Sequence, residues 1–349
     1  MNGRAEFRAA YLEALQLELV TQLKGQGAHL HTIFCGGGTP TELSAEQLNS
    51  ILETVRAHAT LSPDAEVSLE ANPENLSRET LRELRAGGWN RLSLGAQSFD
   101  DTTLRFLGRA HDGERIKQVI REAREEGWTN VSLDLIFGAP AQTLEMWRAT
   151  LKRAARLGVP HVSAYSLTVE SGTALGQRAT KGTFRPLDDD HLADRMDAAS
   201  EVLEEAGLER YEVSSWARPG WECRHNQNYW RGGSYFAAGC GAHGHFDGER
   251  FWNERDTKIY VRRVISGGNA RVETERLSAN ERLIERLATG LRTREGVVLA
   301  ESETALFEPT LSGLCKMGLL KFENGRLKPE KSGFALADGL ASRLIGHIV

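Results

Sequence analysis

The chain has 349 residues, enough for one large domain and a smaller one. Its 43 Lys and Arg against 48 Asp and Glu give a formal charge of −5, which excludes a basic nucleic-acid-binding surface over the whole molecule. No run of about 18 apolar residues occurs, which excludes a spanning helix; the opening residues lack a signal peptide's apolar block, and four cysteines make no disulfide framework, so the reading is a cytoplasmic globular protein.

Phe7, Tyr11, Leu15, Leu19 and Leu23 recur every four residues and predict an amphipathic helix. A short apolar strand at 32–35 follows and stops at Gly36-Gly37-Gly38-Thr39-Pro40. The unit then repeats. Ser44 caps a helix through Val55, and 67–70 is a strand; Ser77 opens a helix that ends at Gly87-Gly88, and 91–95 is a strand. A helix over 112–127, a strand over 131–137, a helix over 143–157 and a strand over 161–169 complete five strand–helix units. Such units with apolar strands predict a parallel sheet, either an open doubly wound sheet or a barrel. Polar groups at successive strand ends (the glycine loop, Glu70, Gln97, Asp134, Tyr165) favour the barrel, because barrel sites assemble there. No glycine fingerprint with an acidic residue about 20 positions on speaks for a dinucleotide fold.

Residues 171–190 read as a loop-rich connection, followed by a helix over 191–207 and a strand-like 211–217. A dense aromatic and glycine segment runs over 221–246. Beyond 277, helix patterns at 280–291 and 304–319 precede a hairpin turning at Asn324-Gly325, which suggests a winged-helix-like module. Its 11 Lys and Arg against 9 Asp and Glu from 276 on are too even for a phosphate-tracking face, so packing outweighs DNA binding. The division expected is 1–170 for a partial (β/α) barrel, 171–275 for a barrel extension and 276–349 for the winged-helix-like module.

Glycines after a strand let backbone groups approach a small ligand, although such clusters are usually only turns. Glu70 can accept from ribose hydroxyls, and Arg109 can pair with a ligand carboxylate. Asp134, inside the apolar run SLDLIFGAP, must be satisfied by a ligand or by an internal basic residue. His225 is a haem-ligand type, with hydrogen-bonded structural use as the alternative; His243 and His245 are weaker candidates.

IFCGGGTPT, SLEANPE, RLSLGAQSFDDTTLRFLGRAH, NVSLDLIFGAP and HVSAYSLTVESGT, in this order, closely resemble the radical S-adenosylmethionine family of oxygen-independent coproporphyrinogen III oxidases. HNQNYW (225–230) followed by GCGAHG resembles its haem-chaperone, HemW-type branch. The resemblance implies a partial barrel that holds S-adenosylmethionine through Gly37, Gly38, Thr39, Glu70, Gln97, Arg109 and Asp134. It also implies haem at His225, Tyr229 and Trp230, with His225 as the iron ligand. The function implied is a chaperone that accepts haem and transfers it to apo-haemoproteins. The alternative is an oxygen-independent coproporphyrinogen III oxidase. A homodimer and peripheral contact with membrane haemoproteins are compatible with this reading; nucleic acid is not expected as a partner.

The family's Cys-x3-Cys-x2-Cys loop, which holds a [4Fe–4S] cluster, is missing from this sequence, and Cys35, Cys223, Cys240 and Cys315 are not closely spaced. Independent radical catalysis is therefore not expected of the chain as given. A strand at 32–35 with an unpaired edge beside apolar residues favours a longer natural chain over a naturally cluster-less form.

Overall fold

The computed structural model describes residues 2–170 and 172–348; Ser171, in the SGT stretch, falls outside them. Strands β1 (His29–Cys35), β2 (Thr60–Ala71), β3 (Arg91–Gln97), β4 (Asn130–Phe137) and β5 (His161–Ser166) run parallel, side by side in chain order. Two antiparallel strands, β6 (Glu209–Glu212) and β7 (Ser215–Ala217), extend the sheet in the order β5-β7-β6. Helices between the parallel strands start at side-chain caps that their sequences announce. Ser44 and Gln47 form a reciprocal capping box, and Ser77, Asp112 and Thr143 each accept a backbone N–H of the first turn.

Alternation along each strand sorts the side chains. Leu69, Leu92, Leu94, Leu133, Leu135 and Val162 are buried in one core cluster with Leu48, Leu52, Leu84, Ile116, Ile120 and Trp147 of the helices. Each such burial contributes about 1.5–3 kcal/mol. The intervening positions, Glu66, Ser68 and Glu70, then Arg91 and Ser93, Ser132 and Asp134, His161, Ser163 and Tyr165, form a polar inner face. The result is a partial parallel (β/α) barrel whose sheet has β1 at its edge.

Some elements differ from their sequence signals. The strand expected over 161–169 ends at Ser166. The strand-like 211–217 divides around Val213-Ser214, because the turn there is stitched to later backbone: Val213 N–H donates to Arg292 O, and Arg294 N–H to Tyr211 O. The helix pattern over 304–319 becomes two short helices, Glu301–Phe307 and Thr310–Lys316, with Pro309 between them, where no N–H is available to continue the first. The segment at 171–190 holds a short helix, Ala174–Thr180.

A three-stranded sheet, β8 (His243–Phe246), β9 (Glu249–Asn253) and β10 (Arg271–Arg276), packs beside the N-terminal helix Asn2–Leu23. The joint is a buried carboxylate, Glu18, which accepts from Gly239 N–H at 2.9 Å, Asn253 Nδ2 at 2.7 Å and Tyr260 Oη at 2.7 Å. A second large core gathers Leu287, Leu291, Phe307, Leu314, Leu327 and Leu344 around a three-stranded sheet of β11 (Val297–Val298), β12 (Leu320–Glu323) and β13 (Arg326–Pro329). Its β12–β13 hairpin turns at Asn324-Gly325, both with positive φ (52° and 73°), as the sequence predicts. Among the described residues no helix is long and apolar enough to cross a membrane.

Candidate functional site

The inner face of the barrel has two levels. At the C-terminal rim, Gly37 N–H donates to Glu70 Oε2 at 2.9 Å. A Cβ on Gly36 would fall within 3.0 Å of Phe34 and of the Glu70 carboxyl, so only glycine admits this approach. Ser93 Oγ donates to Asp134 Oδ2 at 2.8 Å. Burial raises the Asp134 carboxyl to about 6; the Ser93 hydroxyl resists the rise and Glu70 reinforces it. Tyr165 is 43% exposed beside them. Gln97 ends β3 with φ 62°, a left-handed conformation that non-glycine residues adopt at a cost, and its Nε2 and Asn72 Oδ1 converge over Gly95, each 2.9 Å from where a Cβ would stand. Arg109 Nη1 reaches Asn72 Oδ1 at 3.4 Å, and its Nε is buried with no partner. Glu70, Gln97, Arg109 and Asp134 thus gather round the strand ends, with Gly37, Gly38 and Thr39 on the loop after β1.

Sequence reasoning passed over what supports this rim. His111, 6% exposed, places Nδ1 2.7 Å from Glu74 Oε2 and Nε2 3.2 Å from Ala96 O, which ties the loop carrying Arg109 to the ends of β2 and β3. Its only signal was its place in GRAH. Asn72 and Ser93 could have been found by continuing the period of two along each strand.

Four to six residues deeper, the barrel is polar, buried and largely paired within the protein, although Arg91 Nε and Ser68 Oγ have no partner among the described residues. Glu66 accepts from Arg224 N–H at 3.1 Å, His225 N–H at 3.0 Å and the Cys223 thiol at 3.5 Å. It therefore caps the helix Arg224–Trp230, whose own N-cap, Cys223, supplies no side-chain cap. His161 lies between Ser132 Oγ (2.7 Å) and Tyr211 Oη (2.8 Å), and Cys223 N–H donates to Tyr211 Oη at 3.2 Å. Burial, with Arg91 nearby, holds His161 well below the usual imidazole range.

The capped helix places His225 against the inner side of β1. Its ring stacks on Phe34 (centroids 5.0 Å apart, planes at 16°), with Nδ1 2.8 Å from Thr32 Oγ1 and Nε2 2.6 Å from Tyr229 Oη. Burial pushes His225 down to about 4 against the pull of Glu66, so the ring is neutral at pH 7. Burial also raises Tyr229 to about 12, which keeps it a phenol. Both residues line a groove of about 1080 Å³ between the N-terminal helix, β1 and residues 234–246, with Leu15, Leu19, Phe236 and Phe246 among its apolar walls. Trp230 does not join them. It turns toward the C-terminal core, where the Arg292 guanidinium stands 5.9 Å from its ring, and its buried Nε1 has no partner. His243 lines the groove and stacks on Trp252, while His245 Nδ1 lies 3.2 Å from Gly233 O.

Residues 10–154 match the family model for the Radical SAM superfamily. Over 338 residues the chain is 40% identical to the Heme chaperone HemW of Mycobacterium tuberculosis, covering 96% of this chain and 86% of that one. The chain belongs to the HemW family. The Bacillus subtilis Heme chaperone HemW is 34% identical over 347 residues, covering 97% and 92% of the two chains. Among solved structures, the coproporphyrinogen III oxidase (HemN) of Escherichia coli superposes with a TM-score of 0.80 over 97% of this chain and 83% of its own, at 24% identity, which is likeness of fold.

Membership of this radical S-adenosylmethionine family implies S-adenosylmethionine and a [4Fe–4S] cluster. The rim fits the first: a carboxylate for an amino group, a guanidinium with an orphaned buried N–H for a carboxylate, and glycine backbone at the loop. The described residues do not fit the second. Among them no three His, Cys, Asp or Glu side chains stand together as a metal site. Cys223 rests on Glu66, Cys240 Sγ lies 2.9 Å from Arg255 O, and burial raises Cys35 to about 12, far from a ready thiolate.

Proposed function

We propose that this chain is a cytoplasmic haem chaperone that accepts haem at the helix Arg224–Trp230 and passes it to apo-haemoproteins, on a barrel whose rim binds S-adenosylmethionine. The observation that carries the haem reading is the hydrogen-bonded His225–Tyr229 pair on the capped helix, with Tyr229 half-exposed to the groove beside β1. Arg8, Arg224 and Arg231 also line the groove, each in an exposed ion pair with Glu42, Asp64 or Glu295. Such pairs are worth about 1 kcal/mol or less, so haem propionates can compete for the guanidinium groups. At the rim, Asp134 and Glu70 would receive the amino group and ribose hydroxyls of S-adenosylmethionine and Arg109 its carboxylate, with Gly37, Gly38, Thr39 and Gln97 beside them.

Titration of the purified protein with haemin tests the reading. A saturable Soret shift at one equivalent, followed by transfer of haem to an apo-haemoprotein such as apomyoglobin, is expected. Absence of saturable binding would overturn it.

A further inference from the structure

The haem reading leaves open which atom meets the iron, and the geometry answers in an unexpected way. His225 has no nitrogen to spare: Nδ1 lies 2.8 Å from Thr32 Oγ1 and Nε2 2.6 Å from Tyr229 Oη. Its ring is further fixed by stacking on Phe34 and by the Glu66 cap on its backbone N–H. It is 9% exposed, whereas Tyr229 is 40% exposed on the same groove. For His225 to ligate iron, Tyr229 would have to be evicted and a packed ring turned. For Tyr229 to ligate, the packed His225 ring can stay where it is.

We propose that the iron ligand offered to ferric haem is the Tyr229 phenolate, and that His225 is the positioning hydrogen-bond donor behind it. The inference rests on the haem reading above. In the tautomer with its hydrogen on Nε2, His225 donates to the Tyr229 oxygen and accepts the Thr32 hydroxyl at Nδ1. As hydroxide-bearing ferric haem enters, the Tyr229 oxygen bonds to iron, and the phenol proton leaves with the displaced hydroxide as water. His225 stays neutral and the iron stays ferric throughout. Tyr235, packed edge-on against Tyr229 with centroids 4.6 Å apart, and His225, edge-on at 4.7 Å, hold the phenol ring from two sides. Tyrosine is an established haem ligand type, and an anionic oxygen donor favours ferric over ferrous iron. Reduction of the iron therefore loosens the cargo, which suits a carrier that must let go.

The test uses the whole chain with haemin, read by resonance Raman and electron paramagnetic resonance. Wild type is expected to give a high-spin ferric spectrum with phenolate–iron vibrations, and at least tenfold weaker binding after dithionite reduction. Tyr229→Phe loses the phenolate bands and at least tenfold in affinity. His225→Ala keeps the bands but binds more weakly, because the phenolate has lost its hydrogen-bond partner. Circular dichroism and thermal melting confirm that both variants fold. An imidazole-type spectrum in wild type that survives Tyr229→Phe and vanishes in His225→Ala would overturn the proposal and leave the haem reading standing. Wild-type protein that takes up no haemin would overturn both.

Discussion

The base and the rim of the barrel are built on the same strands, from residues a few positions apart, yet they behave as opposites. At the base, Glu66 has three donors, His161 has two partners, and Tyr211 pairs with His161 and accepts from Cys223 N–H. At the rim, Asp134 has Ser93, Glu70 has Gly37, Gln97 is held at positive φ, and Arg109 Nε has no partner. A polar residue pointing into a barrel is therefore not in itself a site. Nor is one unpartnered atom enough, since Arg91 Nε and Ser68 Oγ at the base are as orphaned as Arg109 Nε; what distinguishes the rim is that its unfilled groups stand together at the strand ends beside the glycine loop.

The largest test of this contrast is at the base. Glu66→Leu removes the acceptor of the Arg224 and His225 N–H groups and takes away one of the two carboxylates, Glu66 and Asp134, near the 2%-exposed Arg91. Urea unfolding should show a loss of about 3–5 kcal/mol, the cost of breaking a buried polar network on one side. A loss under about 1 kcal/mol would mean that the base is not a closed network.

Acid sharpens the comparison, since the two levels answer it with opposite signs. Asp134 is raised, so between its unfolded value near 4 and its folded value of about 6 the native state holds the extra proton and stability falls as pH rises. His161 and His225 are depressed, so below an unfolded value near 6.5 the unfolded state takes up the protons and stability falls as pH drops. Asp134→Asn removes the opposing slope. The acid destabilisation measured by thermal melts between pH 6.5 and 4 should steepen by about 1.4 kcal/mol per pH unit at most. An unchanged slope would place the Asp134 titration elsewhere.

A smaller effect is expected on the ligand. Calorimetric titration with S-adenosylmethionine should give about tenfold weaker binding for Asp134→Asn, and wild-type affinity should decline as pH falls through about 6. Equal affinity at pH 5 and 7.5 would break the assignment of the carboxylate to the amino group. Least affected should be Arg231→Ala. The Arg231–Glu295 pair, 2.5 Å apart, is solvent-exposed, and its loss should cost under about 1 kcal/mol of global stability in the same urea assay.

The parallel strands and their helices were legible because each carries its own signal: an apolar run, a glycine stop, a Ser or Asp cap. Glu70, Gln97 and Asp134 were legible in the same way, as polar breaks in apolar strands, whereas Arg109 lies in the loop between two helices and no strand pattern announced it. The helix Arg224–Trp230 was not legible. Its cap is Glu66, some 160 positions earlier, and no local pattern announces a helix whose first N–H groups are satisfied from another strand. The β8–β9 hairpin did leave a trace, Asp247-Gly248 between alternating residues, and it went unread in a segment dominated by aromatics and glycines. The pairing of His225 with Thr32 and Tyr229 is a matter of tertiary placement, as is the turning of Trp230 away from both.

The helix Arg224–Trp230 is under two turns long and is held at both ends, by Glu66 at its start and by Arg231 on Glu295 just past its end. The two anchors are unequal: the carboxylate at its start is buried and holds two N–H groups, whereas the pair past its end is exposed and contributes about 1 kcal/mol or less. The segment is therefore pinned at its His225 end, and Tyr229 sits nearer the end that frays first.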